Sequence, residues 1–130
     1  MARRAAERRT ATIFVRSWLP VMLYVTMILL LSAQPRLRSP FGFPNGDKLA
    51  HLLEYSGLGF LLANGVAGSA ARTTKPLVIA LAAMCLGIVI GTSDELFQST
   101  VPGRSCSPWD LMADTTGLML GNLVFAFFRR

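Results

Sequence analysis

The strongest constraint on this chain is that its acids share segments with its longest apolar runs. Four stretches, at about residues 17–33, 47–67, 77–97 and 109–128, are largely apolar. Each approaches the roughly 20 residues that an α-helix needs to cross the hydrocarbon of a bilayer. Asp47, His51, Glu54, Asp94, Glu95, Asp110 and Asp114 nevertheless lie at the ends of three of them. A carboxylate facing lipid at mid-span costs about 2.5–3.5 kcal/mol even by the lower insertion scales. These groups must therefore face one another inside a bundle. The fold class that follows is all-α, an integral-membrane four-helix bundle.

Composition agrees. Of 130 residues, 52% are hydrophobic and 15% charged, and the apolar ones come in blocks, which is unlike a soluble domain and enough for one membrane domain. The net charge of +6 raises nucleic acid as a partner. The basic residues sit at the ends of apolar runs rather than along one face, so the partner they indicate is the lipid bilayer, with no nucleic acid.

The domain reading is a basic cytoplasmic tail, residues 1–16, followed by a four-span membrane domain, residues 17–128. Arg3, Arg4, Arg8, Arg9 and Arg16 in the tail, Arg72 and Lys75 in the middle loop, and Arg129 and Arg130 at the end outnumber Arg36, Arg38, Lys48 and Arg104 on the other side. The excess of Lys and Arg inside puts both termini in the cytoplasm. Trp18 suits an interface anchor, and Pro20 falls in a first helical turn, where its missing N–H costs little. The first run also outlines a secretory signal peptide, but its core is long for one and Leu31 is too large for the small residue that cleavage needs. Cys85 lies within an apolar run and Cys106 in a polar loop, so no disulfide is expected, and no Cys/His spacing suggests zinc.

Helical spacing sorts the polar groups. Residues four apart share a face. Asp47, His51 and Tyr55 make one stripe, with Glu54 beside it. Asp94 and Gln98 make a second, with Glu95 about 100° away, either a residue of the pocket or one solvated at its rim. Asp110 and Asp114 make a third, continued by Gly117 and Gly121. Asp47 serves as helix cap or first-turn acid, and Arg104 has Asp110 in reach as a loop-fixing partner. The acids outnumber the nearby cations Arg104 and Lys48, which leaves a carboxylate to be protonated or neutralised by a divalent metal or a cationic ligand. The G-x-x-x-G pairs Gly87/Gly91 and Gly117/Gly121 read as close helix packing inside the bundle.

Four motifs in order, DKLAHLLEY (Asp47 to Tyr55), DELFQ (Asp94 to Gln98), PGR (Pro102 to Arg104) and SPWDL with its following glycines (Ser107 to Gly121), resemble the VanZ-like family of small bacterial membrane proteins. The resemblance covers about residues 45–121. It implies that Asp47, His51, Tyr55, Asp94, Glu95, Gln98, Arg104 and Asp110 hold the family's signature positions. It implies a place in the bacterial plasma membrane and, from the namesake, a link to resistance against the glycopeptide teicoplanin. The departure is Asp114, where the family usually has Asn.

Three functions compete. The first is an outer-leaflet enzyme acting on a lipid-linked or envelope phosphate compound. In it Arg104 clamps an anion, His51 acts as general acid or base, and Asp94 with Asp110, Asp114 or Glu54 holds a divalent metal or positions water. The second is a non-catalytic module binding an envelope ligand or partner through the same pocket, with Asp47, Glu54, Tyr55, Glu95 and Gln98 as binding residues. The third, a proton-linked transporter, has few spans and no broken-helix pair to recommend it.

The topology has a direct check. A reporter active only in the cytoplasm should work when fused after Arg130 and fail when inserted after Pro102. Activity at both sites, or the reverse pattern, would overturn the four-span arrangement with both termini inside.

Overall fold

A computed structural model of the chain describes residues 1–35 and 41–129. Arg36, Arg38 and Arg130, which were weighed in the topology, lie outside the described residues. Among the described residues every regular element is helical. Helix α1 (Ala2–Ile13), a π-helical turn (Phe14–Trp18) and α2 (Leu19–Ser32) follow without a break, then come α3 (Gly46–Ser69), α4 (Pro76–Gln98) and α5 (Pro108–Phe128).

The basic tail and the first apolar run thus form one continuous helix. Pro20 stands at the start of α2, as expected, but α2 continues α1 rather than starting afresh. A proline inside a helix cannot donate to the carbonyl four residues back. The chain widens just ahead of it, where the Leu19 N–H reaches the Phe14 carbonyl across five residues. A π-turn is one of the few ways a helix absorbs such a defect.

Three helical segments are long and apolar enough to cross a membrane: Thr10–Ser32, Pro76–Gln98 and Pro108–Phe128. The fourth, α3, is 24 residues long but falls short in apolarity. Glu54, Asn64 and a series of small Gly and Ser residues lower it. The reason is position: α3 packs on α2, α4 and α5, most extensively on α5. Tyr55, Leu58, Gly59, Leu62, Ala63 and Gly65 along it are buried. A helix covered by other helices does not have to be as apolar as one facing lipid.

The packing is inside-out relative to a soluble protein. A small apolar core is built from Val21, Ile28, Tyr55, Leu58, Leu62, Ala63, Ala83 and Leu118, while Asp94, Glu95 and Asp114 are also buried. Large apolar side chains such as Leu30, Leu77, Val89, Leu96, Leu123 and Phe127 are on the outside. In water an apolar surface of this extent would drive aggregation, whereas in lipid it is the expected exterior.

Glycines set the spacing of α3 and α5. A Cβ on Gly117 would lie 3.0 Å from the Ser56 backbone nitrogen, and one on Gly121 would lie 2.6 Å from that of Phe60. From the other side, a Cβ on Gly59 would meet the Leu118 backbone at 2.8 Å. The two backbones touch, so the paired glycines serve internal packing, as their spacing suggests. On α4, Gly87 receives the Leu118 side chain and Gly91 lies against Tyr55.

Because backbone cannot yield as a side-chain tip can, even a methyl group at these sites is costly. Gly121→Ala should destabilise the detergent-solubilised protein by about 1–3 kcal/mol, read as a lower thermal midpoint, whereas Val89→Ala on the outer surface should leave it unchanged. Equal midpoints for the two variants would refute the close α3–α5 approach.

Candidate functional site

The end of α2, the start of α3, the end of α4 and the start of α5 meet at one end of the bundle, where Gln98 bonds Ser32 and Lys48 bonds Asp110. All ten site residues named from the sequence are at this end. They form two layers.

The outer layer is an ion-pair bridge. Lys48 Nζ lies 2.9 Å from Asp47 Oδ2 and 2.9 Å from Asp110 Oδ1. Asp47 and Asp110 both sit in first turns, of α3 and α5, where the helix dipole favours an anion by about 0.3–1 kcal/mol. The cap of α3 itself is Asn45, in a left-handed conformation. Asp47 is therefore the first-turn acid of the two roles it could hold. Arg104 does not pair with Asp110. The close α3–α5 packing brings Lys48 to that carboxylate first, and the Arg104 guanidinium donates instead to Gln98 Oε1.

The inner layer joins α3, α4 and α5. His51 Nδ1 lies 2.9 Å from Asp114 Oδ1. Tyr55, one turn further along α3, is fully buried and stacks near the imidazole, with centroids 6.5 Å apart and planes inclined by 13°. Its hydroxyl donates a long bond of 3.4 Å to Asp94 Oδ2. Gln98 Nε2 donates to the same oxygen at 2.8 Å and to Ser32 Oγ at 3.2 Å. Asp94 is thus held as an acceptor by two donors.

Glu95 does not take the solvated rim position. It is 2% exposed, beside Asp94 and Asp114 at 1% each. The loop after α4 folds back over it, and the Ser107 backbone N–H donates to Glu95 Oε2 at 3.0 Å. That bond ties the entry of α5 to the end of α4 and turns the carboxylate inward.

Not every acceptor is used. Glu54 Oε1, Asp94 Oδ1, Glu95 Oε1 and Asp114 Oδ2 are buried and without a hydrogen-bond partner. His51, Glu95 and Asp114 each present a donor atom within 4.8 Å of the other two, so this trio, rather than the Asp94 grouping, has the spacing to hold a metal ion. Cys106 lies in the loop between α4 and α5. Partial desolvation and the nearby Glu95 carboxylate push its thiol above the ordinary value, which disfavours the reactive thiolate. Cys85 and Cys106 are both free.

A cleft of about 610 Å³ opens beside these layers. Its lining mixes polar residues, His51, Glu54, Gln98, Arg104 and Asp110, with Tyr24 and the apolar Met27, Leu31 and Leu53. Tyr24 fixes the α2 wall by donating to the Glu54 carbonyl at 2.9 Å. Sequence reasoning passed over Ser32 and Tyr24. A hydroxyl at the outer end of an otherwise apolar helix was the available signal for Ser32. For Tyr24 there was none, because its partner is backbone.

Among known families the chain matches VanZ/LLP1, over residues 6–129. No curated protein and no solved structure matches it. The family match runs almost from end to end and takes in every residue of both polar layers. Joined to three helices of membrane length and apolarity, it establishes the chain as a membrane protein belonging to the VanZ/LLP1 family.

Proposed function

We propose that this chain is a multi-pass protein of the bacterial plasma membrane whose cleft faces outward and receives the polar head of a lipid-linked or other cell-envelope amphiphile. The observation that carries the reading is the cleft's mixed lining, in which Arg104 and His51 stand with Met27, Leu31 and Leu53. Met27, Leu31 and Leu53 are themselves exposed, so the apolar part of the lining is open to the lipid. A molecule held there keeps its chain in the bilayer and presents an anionic group to the Arg104 fork, whose planar donors suit phosphate or carboxylate. The association of the family's namesake with teicoplanin resistance agrees with an envelope ligand.

One observation favours a catalytic version of the same site. The His51–Asp114 pair beside the cleft has the form of an imidazole oriented by a carboxylate, the arrangement of a general base. In that version a His51→Asn variant still retains the amphiphile but returns it chemically unchanged, whereas wild type alters its mass.

The binding reading is tested by native mass spectrometry of protein extracted into nanodiscs from envelope membranes. Wild type should retain an amphiphile. Leu53→Trp and Arg104→Ala, both in the cleft lining, should each reduce the retained fraction at least about tenfold, a loss of about 1.4 kcal/mol. Met119→Trp, exposed elsewhere on α5, should leave it unchanged. Retention by Leu53→Trp equal to wild type would sink the proposal.

A further inference from the structure

We infer that His51, Glu95 and Asp114 form a binding site for one divalent first-row transition-metal ion, such as Zn²⁺ or Mn²⁺, beside the cleft that His51 lines. The three residues come from α3, α4 and α5, and their donor atoms lie within 4.8 Å of one another. Donors on a common ion at about 2.0–2.2 Å stand no more than about 4.4 Å apart. A few tenths of an ångström of side-chain movement therefore closes the set.

Hydrogen bonding supplies the independent observation. More than nine in ten buried polar groups find a partner. Here Glu95 Oε1 and Asp114 Oδ2 have none, although each belongs to a side chain at most 2% exposed. The other oxygen of each is already engaged, Glu95 Oε2 by the Ser107 N–H and Asp114 Oδ1 by His51. The engaged oxygens hold the carboxylates in place and leave one buried oxygen of each without a donor.

Charge points the same way. Among the described residues no lysine or arginine forms an ion pair with Glu95 or Asp114, because Lys48 is taken up by Asp47 and Asp110. Two buried carboxylates whose one ion-pair partner among the described residues is His51, charged only when protonated, carry a desolvation cost of several kcal/mol each. A doubly charged ion cancels both charges. An imidazole beside two carboxylates suits Zn²⁺ or Mn²⁺ better than Ca²⁺, which takes six to eight oxygens, or Mg²⁺, which keeps most of its water. The surroundings resemble an outer shell: Tyr55 stacks on the imidazole and Ser107 holds Glu95, the kind of support that orients metal ligands. Three protein donors leave positions for water or for a group in the cleft. The site stands on these contacts alone and does not depend on what the cleft holds.

The test is metal analysis of full-length protein purified in detergent through an affinity tag that binds no metal. Chelator-stripped protein is titrated with Zn²⁺ and with Mn²⁺ by calorimetry, and the thermal midpoint is followed in parallel. Wild type should bind one equivalent of at least one ion and gain thermal stability with metal concentration, as linkage requires. Glu95→Gln and Asp114→Asn should each weaken binding by about 100-fold, the upper end of what losing even an outer-shell partner costs. Cys85→Ser should bind as wild type does. Should either variant fail to fold, the metal-dependent midpoint of wild type decides. Absence of both stoichiometric binding and a midpoint shift in folded wild-type protein would mean that protons, not a metal, neutralise the acids, and would overturn the inference. Unchanged affinity in both folded variants would do the same.

Discussion

The contact on which the rest depends is the backbone-to-backbone approach of α3 and α5. Gly59 on one helix and Gly117 and Gly121 on the other leave no side chain between the two axes. At that separation His51 meets Asp114 and Lys48 meets Asp110, each at 2.9 Å. With a larger spacer these groups would lie apart in a medium that solvates neither. Small residues and ionisable ones are therefore a single device: the glycines bring the helices close, and the closeness makes burial of the acids bearable. Tyr55 links the two, since it belongs at once to the apolar core and to the bond that holds Asp94.

Much of this was legible in the sequence because helical periodicity is local. The stripes Asp47/His51/Tyr55, Asp94/Gln98 and Asp110/Asp114 need only the spacing of four to be seen, and the glycine pairs need nothing more. Contacts between elements were harder to read. Glu95 points away from Asp94 on an isolated helix, and only the return of the loop to Ser107 buries it. Lys48 and Arg104 are both cations near Asp110. The choice between them depends on how close α3 comes to α5, which spacing within one helix does not encode. The division of residues 1–33 into tail and span was also a matter of composition. Charge changes near Arg16 while the backbone hydrogen bonds run on, and the helix records the boundary only as a wider turn.

α3 shows why apolarity alone is a poor guide to position in such a bundle. It is the least lipid-like of the four helices and the one most enclosed by protein. Glu54 and Asn64 are tolerated in it for the reason that Leu77 or Leu123 are tolerated elsewhere: each side chain faces a medium of its own kind. The helices that face lipid need a high mean hydropathy. The central helix needs a narrow profile and groups that match its neighbours.

Asp114 is the position that the resemblance of motifs marks as a departure, and its surroundings say what an acid does there. An asparagine there could still accept a hydrogen bond from His51, so the pairing of α3 with α5 does not require an acid. The carboxylate adds a second anionic oxygen that is buried and lacks any donor. For a bundle that only had to hold together, the amide would be the cheaper choice, because it brings no charge to desolvate. Retaining a charge at a buried position whose one ion-pair partner among the described residues is His51, charged only when protonated, is costly unless something from outside completes the site. The His51–Glu95–Asp114 group is thus the part of this structure that packing does not explain and that an incoming cation would.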